Sequence, residues 1–455
     1  MPLVSQERSR CNGTMTLESS AEQPTAVASH EEGTIRLGQG VALYVCAILG
    51  AGVLVFPGQA ATLAGPASLI AWGFSALIGA ALAFTFAALA SRFPDAGGVA
   101  TYATRAFGPA AGGITGWWYF IAGSVGQTIV PLTAGYYIAA AFGLDQRWAP
   151  AFAAAVLTLA VVASLVGVKI GARVQVGLAL GVGAILVGVI IVALPQIDVA
   201  NFSSFAPHGL VGIGRAIVVL FFAFAGWEAI AHLSAEFRHV RRTLPLATLL
   251  TVAIITVLYL GVAFAVVGTG SYGSRALDRV SLGAIIQHGL GVSAVDAVAI
   301  AAAVICLGTT NAFVTSVSRL GYALGRDGWA PRFLTRHSRN RVPGYAVLAV
   351  GAIGAAGLLG AALFGWGTDD IVFIPSVLVL ATYLLGSAAA IRIFKGGTRV
   401  VGVIAFLLLL ITVPFAGWRL IVPVVVAVLA IVVHRRRDAV TAAKGRRGAA
   451  PRRSR

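Results

Sequence analysis

The amino-acid sequence predicts an all-α integral membrane protein of twelve transmembrane helices. Ten form a five-plus-five inverted repeat with discontinuous helices 1 and 6, and two follow at the C-terminus. Three observations carry this expectation: the composition, the placement of basic residues between apolar segments, and two glycine interruptions inside long apolar stretches. Of 455 residues, 58% are hydrophobic and 11% charged, with a mean hydropathy of +0.90, whereas a soluble domain carries about 25% charged residues. No soluble core buries that much apolar surface. The formal net charge of +17 does not point to nucleic acid, because the basic residues are not gathered in one patch interleaved with aromatics. Cys11, Cys46 and Cys306 are odd in number and lack metal-ligand spacing, so neither a disulfide framework nor a cysteine metal site is expected.

Residues 1–35 are polar and rich in Ser, Thr and Glu, without the short apolar run of a signal peptide; they read as a disordered cytoplasmic tail. A transmembrane domain over 36–433 follows. Its apolar segments lie at roughly 38–64, 67–91, 113–142, 149–168, 174–194, 210–235, 244–268, 292–318, 343–365, 370–391, 399–416 and 418–433. Most reach the 17 to 25 or so residues that span a bilayer. The run from 400 to 433 is either one overlong helix or two short ones split by Pro414, Gly417 and Arg419. Residues 434–455 form a basic C-terminal tail.

Charge decides between these readings. With twelve spans and a cytoplasmic N-terminus, 28 of the 33 Lys and Arg fall on the cytoplasmic side, nine of them in the C-terminal tail. Only Arg147, Arg215, Arg275, Arg279 and Arg419 fall outside, together with Asp145, Asp198, Asp278, Asp369 and Asp370. That bias is the positive-inside rule, and an eleven-span arrangement would put the tail charges on the wrong face. A multi-pass protein of the cell membrane with both termini in the cytoplasm is therefore expected.

The halves then overlay. Spans one to five (about 38–194) open with Gly50-Ala51-Gly52, and spans six to ten (about 210–391) open with Phe224-Ala225-Gly226-Trp227-Glu228. Five is odd, so the second copy is inverted, and the pair at about 399–433 is an appendage. An unwound segment is tolerated in hydrocarbon only where it faces a cavity or ligand, and paired breaks mark the binding site of an inverted-repeat transporter. In Ala47 to Pro57 the glycines and Pro57 let a helix end and restart. A restarted helix offers free N–H groups and a positive dipole end, suited to a carboxylate; the alternative is a small-residue packing face. In Leu220 to Phe237, Glu228 is the acidic residue placed deep in a span. Such a group costs about 2.5 to 3.5 kcal/mol to insert and is by default functional. It could change protonation during a transport cycle or merely hydrogen-bond loose backbone. His232 and Glu236 share its helical face but approach the cytoplasmic end, so no metal site is expected.

The segments GAGVLVFP, RFPDAGGVATYATRAFG and FAGWEAIAHLSAEFRHVRRTLPLA resemble the amino acid-polyamine-organocation (APC) superfamily, whose fold is the LeuT-like inverted repeat, and within it the bacterial amino acid efflux branch. The resemblance runs from about Gly38 to the end of the last span. It implies that Gly50, Ala51 and Gly52 give N–H groups to a substrate α-carboxylate. It also implies that carbonyls at Ile48, Phe222 and Ala225, beside Gly226, accept the α-ammonium. Phe222 matches the aromatic gate of exchangers in the superfamily, and Glu228 matches an acid linked to proton sensitivity. The coupling ion so implied is H+. Na+ is the alternative, through hydroxyls at Thr309, Thr310, Ser316 and Ser318, which otherwise simply bond helix carbonyls. The fifth span lacks the interior Lys of some proton-coupled relatives.

An intramembrane enzyme is the contrasting class. It needs a nucleophile with a base, a carboxylate pair or a metal site at membrane depth, and the chain offers one deep acid; no cofactor is expected. The spans expected to line the pocket offer Gln127, Phe222, Trp227, Asn311 and aliphatics, with no countercharge for a charged side chain. Transport of neutral, aliphatic amino acids, of methionine or branched-chain type, follows as the expectation, by export or, alternatively, by uptake or exchange.

Overall fold

The computed structural model describes residues 36–50, 52–93, 98–167, 172–228, 240–291, 293–338 and 342–448. These residues are helical throughout, apart from short connections. The order is α1 (Leu37–Ile48), α2 (Gly52–Ala64), α3 (Ser68–Arg92), α4 (Gly98–Phe107), α5 (Pro109–Ala141), α6 (Ala149–Val166), α7 (Ala172–Ala193) and α8 (Gly209–Leu220). Then come α9 (Val240–Gly268), α10 (Ser281–Leu290), α11 (Ser293–Arg326), α12 (Gly344–Phe364), α13 (Phe373–Ile393), α14 (Gly397–Ala416) and α15 (Ile421–Gly448). Among the described residues eight stretches are long and apolar enough to cross a membrane, and two of them, Gly52–Arg92 and Gly397–Arg437, each hold two helices.

Local chemistry sets these boundaries. Gly65 takes φ +63° ahead of Pro66, a left-handed turn that reverses the chain between α2 and α3. Gly417 at φ +57° separates α14 from α15, so the run from 400 to 433 is two helices. The Arg419 guanidinium lies 3.7 Å from the Phe373 ring centroid at that turn, a cation–π contact that ties the hairpin to the start of α13. Two helices, α4 and α10, fall where the sequence suggested connections. Each has 10 residues, too short to span.

Burial sorts the helices into centre and periphery. The apolar windows of Gly52–Arg92 and Thr368–Ile393 are 61% and 67% buried, those of Val176–Gln196 and Gly397–Arg437 only 28% each. In the centre, α5 and α11 interlock through missing side chains. Gly116 and Gly123 receive Leu324 and Val317, while Gly321 receives Phe120; a Cβ on Gly123 would stand 2.5 Å from Val317. Small residues let membrane helices approach in this way, where packing must replace the hydrophobic drive.

α15 joins the same block. Trp118 donates to the Pro423 carbonyl at 2.8 Å and Trp117 to the Trp329 carbonyl at 2.7 Å. His434 stacks on Trp329 with ring centroids 4.0 Å apart. Arg437 donates to the carbonyls of Gly325 and Ala330. On the opposite end of the molecule, Asp369 bridges Arg275 (3.0 Å) and Arg279 (3.1 Å), and Arg275 also meets Asp370 at 2.9 Å. That network links the segment before α10 to the segment before α13.

Candidate functional site

The two glycine interruptions lie side by side. α1 ends at Ile48, the Gly50 N–H turns back onto the Ile48 carbonyl at 2.7 Å, and α2 begins at Gly52. The N–H groups of a helix's first turn have no partner within the helix. Ala51 lies outside the described residues, as do the 1–35 segment, His232 and Glu236. In the second interruption, α8 ends at Leu220 and residues 221–228 continue as turns. The Ala225 N–H reaches the Phe222 carbonyl at 3.3 Å, and Gly226 adopts φ +122°, a conformation glycine takes without strain. A Cβ on Gly52 would stand 3.0 Å from the Cα of Ala223, so the absence of a side chain there lets the interruptions touch.

Phenol hydroxyls satisfy much of the loosened backbone. Tyr259 of α9, fully buried against Trp72 and Phe224, lies 3.1 Å from the carbonyls of both Ile48 and Ala223. Tyr44 of α1 donates to the Trp227 carbonyl at 3.0 Å, and Tyr137 of α5 to that of Leu54 at 2.8 Å. The Gly226 N–H donates to the Tyr383 hydroxyl at 3.2 Å. A buried backbone group left unpaired costs as much as a lost hydrogen bond, which is why buried tyrosines gather at this level.

Glu228 is 4% exposed, and its two carboxylate oxygens accept hydrogen bonds from Tyr119 of α5 and Tyr383 of α13. No cation faces it in these contacts; two hydroxyls hold it. Tyr119 also stands on the wall of a cavity with about 570 Å³ not filled by atoms, the open solvent at its mouth included. Six expected residues meet there: Ile48, Gly50, Gly52, Gln127, Phe222 and Ala225. The opposite wall is Gly123, Gly126 and Gln127 of α5 with Thr309 and Phe313 of α11. Phe222 is half-buried, edge-on to Phe56 with centroids 5.8 Å apart and facing Gly126.

Several expected residues stand elsewhere. Gly226 does not line the cavity. Trp227 was expected to line it but turns away onto Gly79 of α3, and Asn311 instead bonds Ser164 at 3.0 Å. Asn311 sits on the anticipated helix but faces another direction, and Trp227 lies in the turns of the second interruption. Of the four hydroxyls, Thr309 lines the cavity and Thr310 is buried. Ser316 is exposed, and Ser318 bonds the Thr315 carbonyl of its own helix. Sequence reasoning missed Tyr119, Tyr259 and Tyr383. The available signal was that a tyrosine inside an apolar span needs a partner for its hydroxyl.

A model of the amino acid permease family matches residues 42–435. The chain belongs to that family, within the APC superfamily. Over 394 residues, 86% of this permease, it is 32% identical to the uncharacterized amino acid permease YecA of Bacillus subtilis, of which it covers 92%. It is 29% identical to the L-methionine/branched-chain amino acid exporter YjeH of Escherichia coli, over 84% of this permease and 91% of YjeH. The crystal structure of MhsT in complex with L-phenylalanine superposes with a TM-score of 0.59 at 16% identity, covering 85% of this chain and 99% of that one; that likeness speaks for the fold alone. The permease is thus a multi-pass membrane transporter of amino acids, and not an enzyme.

Proposed function

We propose that this permease is a secondary active exporter of neutral amino acids, of methionine and branched-chain type, that works by alternating access with protons as the coupling ion. The observation that carries the reading is the cavity. Backbone of both interruptions forms one wall, and no charged side chain is among the described residues lining it. In this reading the first-turn N–H groups near Gly50, Ala51 and Gly52 hold the α-carboxylate, and the carbonyls of Ile48, Phe222 and Ala225, next to Gly226, hold the α-ammonium. Phe222 closes over the substrate. The family match supports a free amino acid as the occupant, and the activity named for YjeH supports the substrate class and the direction.

Glu228 is the proton-carrying group of this proposal. It is separated from the cavity by Tyr119, so a change in its protonation would alter the hydrogen bonds that tie α5 and α13 to the second interruption. The twelve spans are α1 with α2, α3, α5, α6, α7, α8 with the chain beyond it, α9, α11, α12, α13, α14 and α15. The first and sixth are discontinuous, and both termini are cytoplasmic, including the 1–35 tail and the basic end after 434, through which α15 continues.

Uptake or exchange on the same fold is the second reading, and the family match with YecA supports it equally. Alternating access is reversible, and net flow follows the gradients. Cells overproducing the protein should tolerate toxic analogues of methionine or leucine and accumulate less labelled amino acid. Greater sensitivity with faster uptake would reject export.

A further inference from the structure

We propose that Gln127 sets the polarity of the side-chain end of the cavity. With it, the site takes neutral side chains that carry a hydrogen-bond donor as readily as aliphatic ones of the same shape. This rests on the neutral-substrate reading above and widens it beyond methionine and the branched-chain amino acids.

Gln127 is 1% exposed, stands on the α5 wall of the cavity, and belongs to neither interruption. Its Nε2 donates to the Gly123 carbonyl at 3.0 Å, one turn back on the same helix. That bond fixes which way the amide lies, since the two ends of a glutamine amide differ only in what they can donate or accept. Oε1 is thereby left as a buried acceptor with no partner among the described residues. Gly126, one position before Gln127, lets the Phe222 ring come close to α5; a Cβ there would stand 3.2 Å from that ring. Gln127 therefore stands on the cavity wall next to the place where the Phe222 ring closes onto α5.

A buried acceptor in an otherwise apolar wall is costly when unpaired. An aliphatic side chain leaves it so, whereas a hydroxyl or amide N–H of the substrate pairs it. A substrate carboxylate there would set acceptor against acceptor, so the group that meets Oε1 is a donor. The result is a site that compensates a polar side chain for the water it loses, which a purely apolar pocket cannot do.

The test uses three near-isosteric pairs: valine and threonine, leucine and asparagine, methionine and glutamine. Each competes for binding of a labelled amino acid to purified protein in proteoliposomes. In the wild type, the polar member of a pair should bind within about threefold of its aliphatic partner. In Gln127→Leu and Gln127→Met the polar member should lose about tenfold relative to that partner. Because the ratio is taken within one variant, a smaller folded fraction does not move it. Gln127→Asn, which keeps a shorter amide, should fall between. An unmoved ratio in Leu and Met, or an Asn ratio equal to that of Leu, overturns the assignment. So does a wild type that binds the aliphatic members and rejects the polar ones, which leaves the aliphatic reading intact. A wild type that binds none of the six overturns the neutral-substrate reading and this inference with it.

Discussion

The Tyr259 hydroxyl lies 3.1 Å from the Ile48 carbonyl oxygen and equally close to that of Ala223, so one phenol on α9 ties the two interruptions together. Tyr259→Phe keeps the ring between Trp72 and Phe224 and removes only the tie. Substrate affinity should fall about tenfold, roughly 1.4 kcal/mol, in the range of one hydrogen bond. The loss should be larger for an amino acid than for its 2-hydroxy acid, which lacks the α-ammonium. Equal losses in competition binding would make Tyr259 a packing residue.

Gly52→Val should abolish substrate binding while leaving a folded protein. Already a Cβ there would meet Ala223 and the Phe56 ring at 3.0 Å, and a branched side chain would crowd the N–H groups beside it. Overpacking of this size costs about 1–3 kcal/mol of stability, which a melting curve will register as a modest shift. Unchanged affinity in the purified variant would reduce the first interruption to packing.

Glu228→Gln retains the shape and one acceptor for the two phenols but cannot release a proton. Binding should stay near normal and the pH dependence of transport should flatten. A full pH response measured in proteoliposomes with the variant would move coupling to another group.

Asp278, just before α10, is 5% exposed and accepts hydrogen bonds from Thr62 at 2.8 Å and the Gly273 N–H at 2.9 Å. Burial raises its pKa above the usual carboxylate value, outweighing those bonds and the Arg279 charge, with Asp369 adding to the rise. The folded protein therefore binds this proton more tightly than the unfolded chain does, and the ionised form costs stability above the raised pKa. Asp278→Asn should melt higher than wild type at neutral pH, and the gap should close as pH falls toward about 4. A gap that widens on acidification would contradict the assignment.

Reporter fusions at residues 1 and 455 should both read cytoplasm, as the 28-to-5 division of Lys and Arg requires. An exterior C-terminus would remove the twelve-span arrangement and the place of the last helix pair.

Much of this site was legible because glycine is informative where regular helix should be. Gly50, Gly52 and Phe222 were found from the chain alone and meet in one cavity. Trp227 and Asn311 show where reading stops. The sequence puts Trp227 in an interruption, whose turns it does not specify, and Asn311 on a helix, where each residue turns the side chain by about 100° and nothing in an apolar stretch fixes which face meets the cavity. Tyr119 and Tyr383 were missed for a different reason. They lie 109 and 155 positions from Glu228, and only tertiary packing brings them to it. The helices α4 and α10 escaped because a search for spans overlooks elements too short to be one.

α15 runs on past its apolar stretch to put His434 and Arg437 on the chain end of α11, where Trp117 of α5 also lands. Carbonyls at a helix C-terminus carry negative dipole charge that a cation can meet. The last helix is therefore a girder: it fastens α5 to the chain end of α11, two helices that both line the cavity. Cutting the chain after Gly417 would then cost more than one peripheral helix, because it would leave α5 and the end of α11 without their brace.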